Sequence, residues 1–381
     1  MAVLDKVHLQ RKNVILHLLR SDCTKTMEQL AGVPRPESLR SAAVNLNHWY
    51  AVALSSEVRK NPLAIQIWYQ DIVLFRNQYH QVQALENRCP HRLVKLSSGY
   101  VQGNDIVCIY HGWKFDGAGH CTDIPYLHER QKLPPCRIRS YPVQERYGFI
   151  WLFPGDPTQA HDQEPLAIPE WEHLNYVVSV APMNFRAHFS FLVENLMDMY
   201  HGHLHRHFQP WGKAILQKKQ VGSDWVEAEY QAECYFQINR PWSIIQLFIP
   251  WLRRGFLTSL IVRYEYPHWH SWLGNDFRLY CLIAPVSATQ TRAYLIHTVS
   301  LGTFRDLHRL PIWFRRWVKN RCFNAAKGFL QGLIREDVLM MEQEQQAHLT
   351  HPQTRGFEVN PVVGSVQKLI HHEAQIYNTR D

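Results

Sequence analysis

Cys89-Pro90-His91 and Cys108-Ile109-Tyr110-His111-Gly112-Trp113-Lys114-Phe115-Asp116 are separated by sixteen residues, and the fold follows from how they are read. Each half offers one thiol and one imidazole from a tight loop, as Cys-x-His and Cys-x-x-His. Two such loops side by side can hold two metal ions, one by Cys89 and Cys108, the other by His91 and His111. A single zinc held by all four is the alternative. Zinc fingers and knuckles use other spacings.

Around these loops the chain has the texture of a small antiparallel β domain. From Trp49 to about Pro154 short apolar or alternating runs recur, at Ala64 to Tyr69, Ile72 to Arg76, Val82 to Glu86, Ile106 to Tyr110 and Phe149 to Phe153. Turn residues punctuate them at Gly99, Gly103-Asn104 and Asp116-Gly117. A polar, proline-containing stretch from Pro154 to Pro169 reads as a linker. Beyond it the pattern predicts a helical segment around 188–207, strands from about 220 to 300, a basic helix near 304–321 and a long helix near 323–347. The expected fold class is α+β, an all-β domain over 46–155 and a second domain over 156–381 with helices packed on one antiparallel sheet. Residues 1–45 form an N-terminal extension of helical character.

A second constellation lies in Glu194-Asn195-Leu196-Met197-Asp198-Met199-Tyr200-His201-Gly202-His203-Leu204-His205-Arg206-His207. On a helix, positions four apart share a face, so His201 and His205 can converge on one ion, with Asp198 nearby. His203 is turned about 200° from His201 and His207 about 240°, so neither shares that face. A solvated, histidine-rich helix end is the bland alternative.

The motif from Tyr110 to Asp116, with Gly119 and Cys121 after it and Ser140-Tyr141-Pro142 to Tyr147-Gly148-Phe149-Ile150-Trp151 downstream, closely resembles the cluster-binding domain of Rieske non-haem iron oxygenases. In that family two cysteines and two histidines hold a [2Fe–2S] cluster, the imidazoles raising its potential above that of an all-cysteine cluster. With Cys89, His91, Cys108 and His111 as ligands, Cys121 stands outside the set. Asn195-x-x-Asp198-x-x-His201 with a following histidine is similar to the family's mononuclear iron motif. Many members place the second histidine five residues after the first, where this chain has Arg206. His205 is therefore chosen, with His207 as the fallback.

The resemblance implies a third ligand, an aspartate, on a C-terminal helix. Arg335-Glu336-Asp337-Val338 occupies that place, and Asp337 is chosen with Glu336 as the competing acid. Two histidines and a carboxylate leave positions on Fe(II) open for O₂ and substrate. The resemblance further implies a homotrimer in which a carboxylate, here Asp198, bridges one chain's cluster to its neighbour's iron. Electrons then come from NAD(P)H through a reductase or ferredoxin. An electron-transfer Rieske protein without the second iron is the main alternative, and the Asn195–His201 motif argues against it. A zinc-dependent regulatory or nucleic-acid-binding protein is the other.

Composition narrows the remaining classes. The chain has 41 Lys and Arg against 33 Asp and Glu, a net charge of +8, but the basic residues are scattered except from Arg315 to Arg321. Nucleic acid is therefore not an expected partner. No run of 18 uncharged apolar residues occurs, and the best, Trp242 to Leu252, contains Pro250, so a spanning helix is not expected. Met1 to Arg20 has no secretory pattern, and eight scattered cysteines suit a reducing cytoplasm. The basic, aromatic Ile312 to Lys319 suits peripheral membrane contact, an acidic electron donor or a subunit interface. His268-Trp269-His270-Ser271-Trp272 reads as pocket lining or as a plain strand. Apolar and aromatic content over 188–300 favours a hydrophobic substrate such as an aromatic ring, sterol or other isoprenoid.

Overall fold

The computed structural model describes residues 39–128, 131–173, 176–205, 210–235, 245, 249–273, 277–300, 309–352, 354 and 356–379. Residues 40–381 form one compact unit. Of the expected N-terminal helical extension, residues 1–38 lie outside the described residues. After a 3₁₀ turn at Leu39–Ser41, its last residues run as irregular, buried chain through Ala42 and Val44.

The first lobe holds β1 (Tyr50–Leu54), β2 (Leu63–Ile67), β3 (Gln70–Arg76), β4 (Val82–Glu86), β5 (Tyr100–Gln102), β6 (Asp105–Val107), β7 (Lys114–Phe115), β8 (Cys121–Asp123), β9 (Val143–Arg146) and β10 (Phe149–Leu152). They pair as three antiparallel sheets ordered β1-β10-β9, β2-β3-β4 and β5-β6-β7-β8. The apolar runs seen in the sequence become the buried faces. Val73, Phe75, Leu85, Leu96, Ile106, Phe115 and Ile138 close into one core that includes Cys89 and Cys108.

The second lobe is built on β11 (Tyr176–Phe185), β12 (Trp211–Val221), β13 (Trp225–Cys234), β14 (Phe256–Glu265), β15 (His268–Leu273), β16 (Phe277–Ser287) and β17 (Gln290–Ser300). Among the described residues they form one antiparallel sheet ordered β11-β17-β16-β15-β14-β13-β12. Along β13, Val226, Ala228, Tyr230, Ala232 and Cys234 are buried and the residues between them are not, the period of a half-covered strand. The cover is helical: α1 (Phe189–Met197), α2 (Ile312–Thr350) and α3 (Pro361–Asn378). α1 packs on both other helices and on β14, α2 on β11, and α3 on β13.

Several elements differ from the sequence reading. The two helices expected over 304–321 and 323–347 are one helix, α2, because no proline interrupts the chain between Pro311 and Pro352; residues 301–308 lie outside the described residues. Helix α3 was not anticipated, although Asn360 accepts a hydrogen bond from Val362 N–H as N-cap and Pro361 sits at the first helical position. Its Val362, Val363, Val366, Leu369 and Ile370 repeat at helical spacing and are buried. The presumed linker is structural: Asp156 caps a 3₁₀ helix over Pro157–Asp162, and Ala160 and Ile168 are buried.

The lobes share a core in which Trp49, Phe149, Trp151 and Phe153 meet Val178, Tyr280, Leu282, Tyr294 and Ile296. The tip of the β2–β3 hairpin docks on the end of β16. Trp68 and Tyr69 there are left-handed, at φ 39° and 66°, which costs a non-glycine residue roughly 1 kcal/mol. Their N–H groups donate to the carbonyls of Pro285 and Val286 at 2.8 and 2.9 Å, and these cross-lobe bonds offset the cost.

Candidate metal centres

The first donor set sits on two copies of one backbone turn. Leu93 N–H donates to Cys89 O and Gly112 N–H to Cys108 O; Cys89 N–H donates to Val94 O and Cys108 N–H to Trp113 O. The fifth residue of each turn is left-handed, Leu93 at φ 59° and Gly112 at φ 71°. A side chain at Gly112 would also meet Pro125 Cγ at 2.9 Å, so glycine is required there. The histidine stands two residues after cysteine in one turn and three in the other, which explains the unequal spacing in sequence. The two imidazoles come together, with ring centroids 4.5 Å apart, and His91 stacks on Trp113 at 4.9 Å.

Cys89 and Cys108 are buried beneath them, side by side. Burial, and then the Cys108 thiol, push the Cys89 thiol up to about 11. Desolvation, His111 and Arg92 hold His91 below its ordinary value. Its Nδ1 is buried without a hydrogen-bond partner. Two adjacent thiols, two facing imidazoles and an orphaned ring nitrogen fit a group with two metals, thiolate-held on one side and imidazole-held on the other. Cys121 lies beside Cys136 instead.

The second donor set is not on the continuous helix expected over 188–207. Helix α1 stops at Met197 because Asp198 turns extended, at ψ 104°, and its carboxylate caps the next turn by accepting from Tyr200 N–H at 3.0 Å. A 3₁₀ helix over Met199–Leu204 follows. This turn, rather than an α-helical face, sets His201 and His205 together, with ring centroids 5.5 Å apart. His201 Nε2 and His205 Nε2 lie 3.8 and 3.7 Å from Asp337 Oδ1 on α2. One donor atom from each of the three lies within 4.8 Å of the others. Trp211 packs edge-on against both rings, and its indole donates to Met199 O at 3.0 Å.

Each candidate ligand has an outer partner. Glu336, read from sequence as a competing ligand, is hydrogen-bonded with His205 Nδ1 at 3.1 Å, leaving Nε2 toward Asp337. Asn195 Nδ2 donates to Asp337 Oδ1 at 3.4 Å. The Asp198 backbone stands beside His201. Desolvation raises Asp337 and lowers His201, the two histidines and Asp337 working against it in each case. Two imidazoles facing a carboxylate short of positive charge are a donor set that fits a divalent ion. His207, the fallback ligand, lies outside the described residues.

His268 belongs to the scaffold. It is buried, its Nε2 bonds Trp49 O at 2.9 Å and its Nδ1 accepts from Ile283 N–H at 3.2 Å. Sequence reading missed Asn360, whose amide donates to Asp198 Oδ1 at 2.9 Å. The Asn360-Pro361 cap signal was its only trace.

Residues 48–142 match the family model of the Rieske [2Fe-2S] domain. Over 353 residues, 88% of this chain and 90% of the relative, the sequence is 34% identical to the 4β-methylsterol monooxygenase of Methylococcus capsulatus. It is 36% identical to the vanillate O-demethylase oxygenase subunit of a Pseudomonas species over 160 residues, 41% of this chain and 43% of that one. The fold is similar to that of dicamba monooxygenase bound to 3,6-dichlorosalicylic acid, with a TM-score of 0.71 and 21% identity over 89% of this chain and all of that one. No helix among the described residues is long and apolar enough to cross a membrane. A Rieske domain fused to a helix-covered antiparallel sheet, matched along nearly its whole length by a monooxygenase, settles the family: the chain belongs to the Rieske non-haem iron oxygenases, as a terminal oxygenase subunit.

Proposed function

We propose that this oxygenase inserts oxygen from O₂ into a C–H bond of a sterol or related isoprenoid, drawing electrons from NAD(P)H through a separate reductase or ferredoxin. The observation that carries the substrate class is the near full-length likeness to a methylsterol monooxygenase. The likeness to vanillate O-demethylase covers less than half of either chain.

In this reading Cys89, His91, Cys108 and His111 hold the [2Fe–2S] cluster, and His201, His205 and Asp337 hold a mononuclear Fe(II). The irons, when bound, supply electron storage and O₂ chemistry. The chain supplies the rest. Glu336 and the Asp198 backbone orient the imidazoles, Asn195 orients Asp337, and Trp211 walls the site on one side. Asp198 is the carboxylate that links one chain's cluster to the next chain's iron in a homotrimer. Support for association comes from Leu93, Ile109, Tyr110 and Tyr126, large apolar side chains exposed beside the cluster histidines.

Protein purified without air should contain about three irons and two acid-labile sulfides per chain. Asp337→Ala should lose one iron and no sulfide. With an NADPH-coupled ferredoxin system, a 4-methylsterol should gain one oxygen by mass. Zinc without sulfide would overturn the metal assignment. Turnover of O-methylated benzoates but not of sterols would move the substrate class to aromatics.

A further inference from the structure

Asn360 is nearly fully buried, and its amide has fixed work on both sides. Oδ1 accepts from Val362 N–H at 3.0 Å, capping α3. Nδ2 donates to Asp198 Oδ1 at 2.9 Å and to Tyr230 Oη at 3.0 Å. A backbone N–H can meet only the oxygen of the amide, so the cap decides which way the side chain points. Tyr230, itself fully buried, donates onward to Met197 O at 3.0 Å, at the end of α1. Asp198 thus lies where three elements meet: α1 by the chain itself, β13 through Tyr230, and α3 through Asn360.

The hydrogen bonds also separate the two oxygens of Asp198. Oδ1 takes both Tyr200 N–H and Asn360 Nδ2. Oδ2 takes neither. A carboxylate held by two donors on one oxygen cannot swing, and its second oxygen keeps one direction relative to the His201 turn.

We propose that Asn360, backed by Tyr230, is a positioning residue that fixes Asp198 for electron transfer, so that docking of the C-terminal helix sets the geometry of the relay. This rests on the reading of Asp198 as the bridge between subunits. Asn360 contacts neither candidate metal donor set and acts only through Asp198. The arrangement gives helix α3, which contributes no candidate ligand, a part in the reaction.

Asn360→Ser separates the two duties, because serine caps a helix nearly as well as asparagine but is too short to reach Asp198. The intact, iron-loaded and fully oxidised protein is flash-reduced with a photoreductant, and electron departure from the cluster is followed by its visible absorbance. Asn360→Ser should slow that step about tenfold with iron, sulfide and oligomer mass unchanged. Tyr230→Phe should slow it in the same direction, and Asn360→Ser should add nothing to Asp198→Ala. In metal-free protein, peptide 197–205 should exchange amide hydrogens faster in Asn360→Ser while peptide 361–378 does not. Electron departure within twofold of wild type in both Asn360→Ser and Tyr230→Phe, when Asp198→Ala abolishes it, would reduce Asn360 to a helix cap. Undiminished transfer in Asp198→Ala would instead remove the relay, and the role of Asn360 with it.

Discussion

At the scale of single residues, the candidate mononuclear site is decided by which nitrogen of His205 faces the other candidate ligands. Glu336 holds Nδ1 at 3.1 Å, so the proton belongs on Nδ1 and the lone pair of Nε2 faces Asp337. A carboxylate in that position also makes the imidazole a stronger donor. Adjacent acids on α2 therefore divide the work, Asp337 toward the site and Glu336 behind it. Glu336→Ala should weaken ferrous iron binding about 10- to 100-fold while leaving sulfide and cluster absorbance intact. Competition against a chelator measures this directly, and Glu336→Gln, which can still meet the ring, should fall between the two.

At the scale of elements, the 3₁₀ turn after α1 is held by close packing. A β-carbon on Gly202 would stand 2.4 Å from Trp211 Nε1, and that indole is anchored to Met199 O. Gly202→Ala should push Trp211 off the histidine rings, destabilise the fold by about 1–3 kcal/mol in urea and reduce mononuclear iron content. The paired Cys-His loops were legible in the sequence because each candidate ligand pair lies inside one five-residue turn. The His201–His205 pair was found for an incomplete reason: spacing four suggested an α-helix, but the extended Asp198 ends that helix and a tighter turn does the placing. Asp337 lies more than a hundred residues away on a helix with many acids, so resemblance rather than pattern picked it out. Asn360 and Tyr230 left no readable signal as partners of Asp198, because their contact exists only once α3 and β13 have packed against α1.

At the scale of the whole molecule, two features of the lobe arrangement can be tested. His268 ties β15 to the start of β1 through Trp49 O, and burial lowers its pKa to about 3. An unfolded histidine titrates near 6.5, so below that value the unfolded chain takes up a proton that the folded one refuses. Stability is thus fully present above about pH 6.5 and lost as pH falls toward 3, by about 2 kcal/mol from His268 alone at pH 5. Urea midpoints at pH 7 and pH 5 should show this loss, and His268→Asn should flatten it. The second feature is the cluster tip, where Leu93, Ile109, Tyr110 and Tyr126 are all more than half exposed although all are large and apolar. Covering them on a neighbouring chain would bury apolar surface and bring the candidate cluster histidines against another copy. Ile109→Glu sits on this surface and not in a core, so the chain should fold and keep both metal complements. A charge buried in that contact should nevertheless split the assembly to monomers by light scattering and slow electron departure from the cluster. A wild-type protein that is monomeric at working concentration yet turns over fully would remove the need for a neighbour, and the relay would then have to run within one chain.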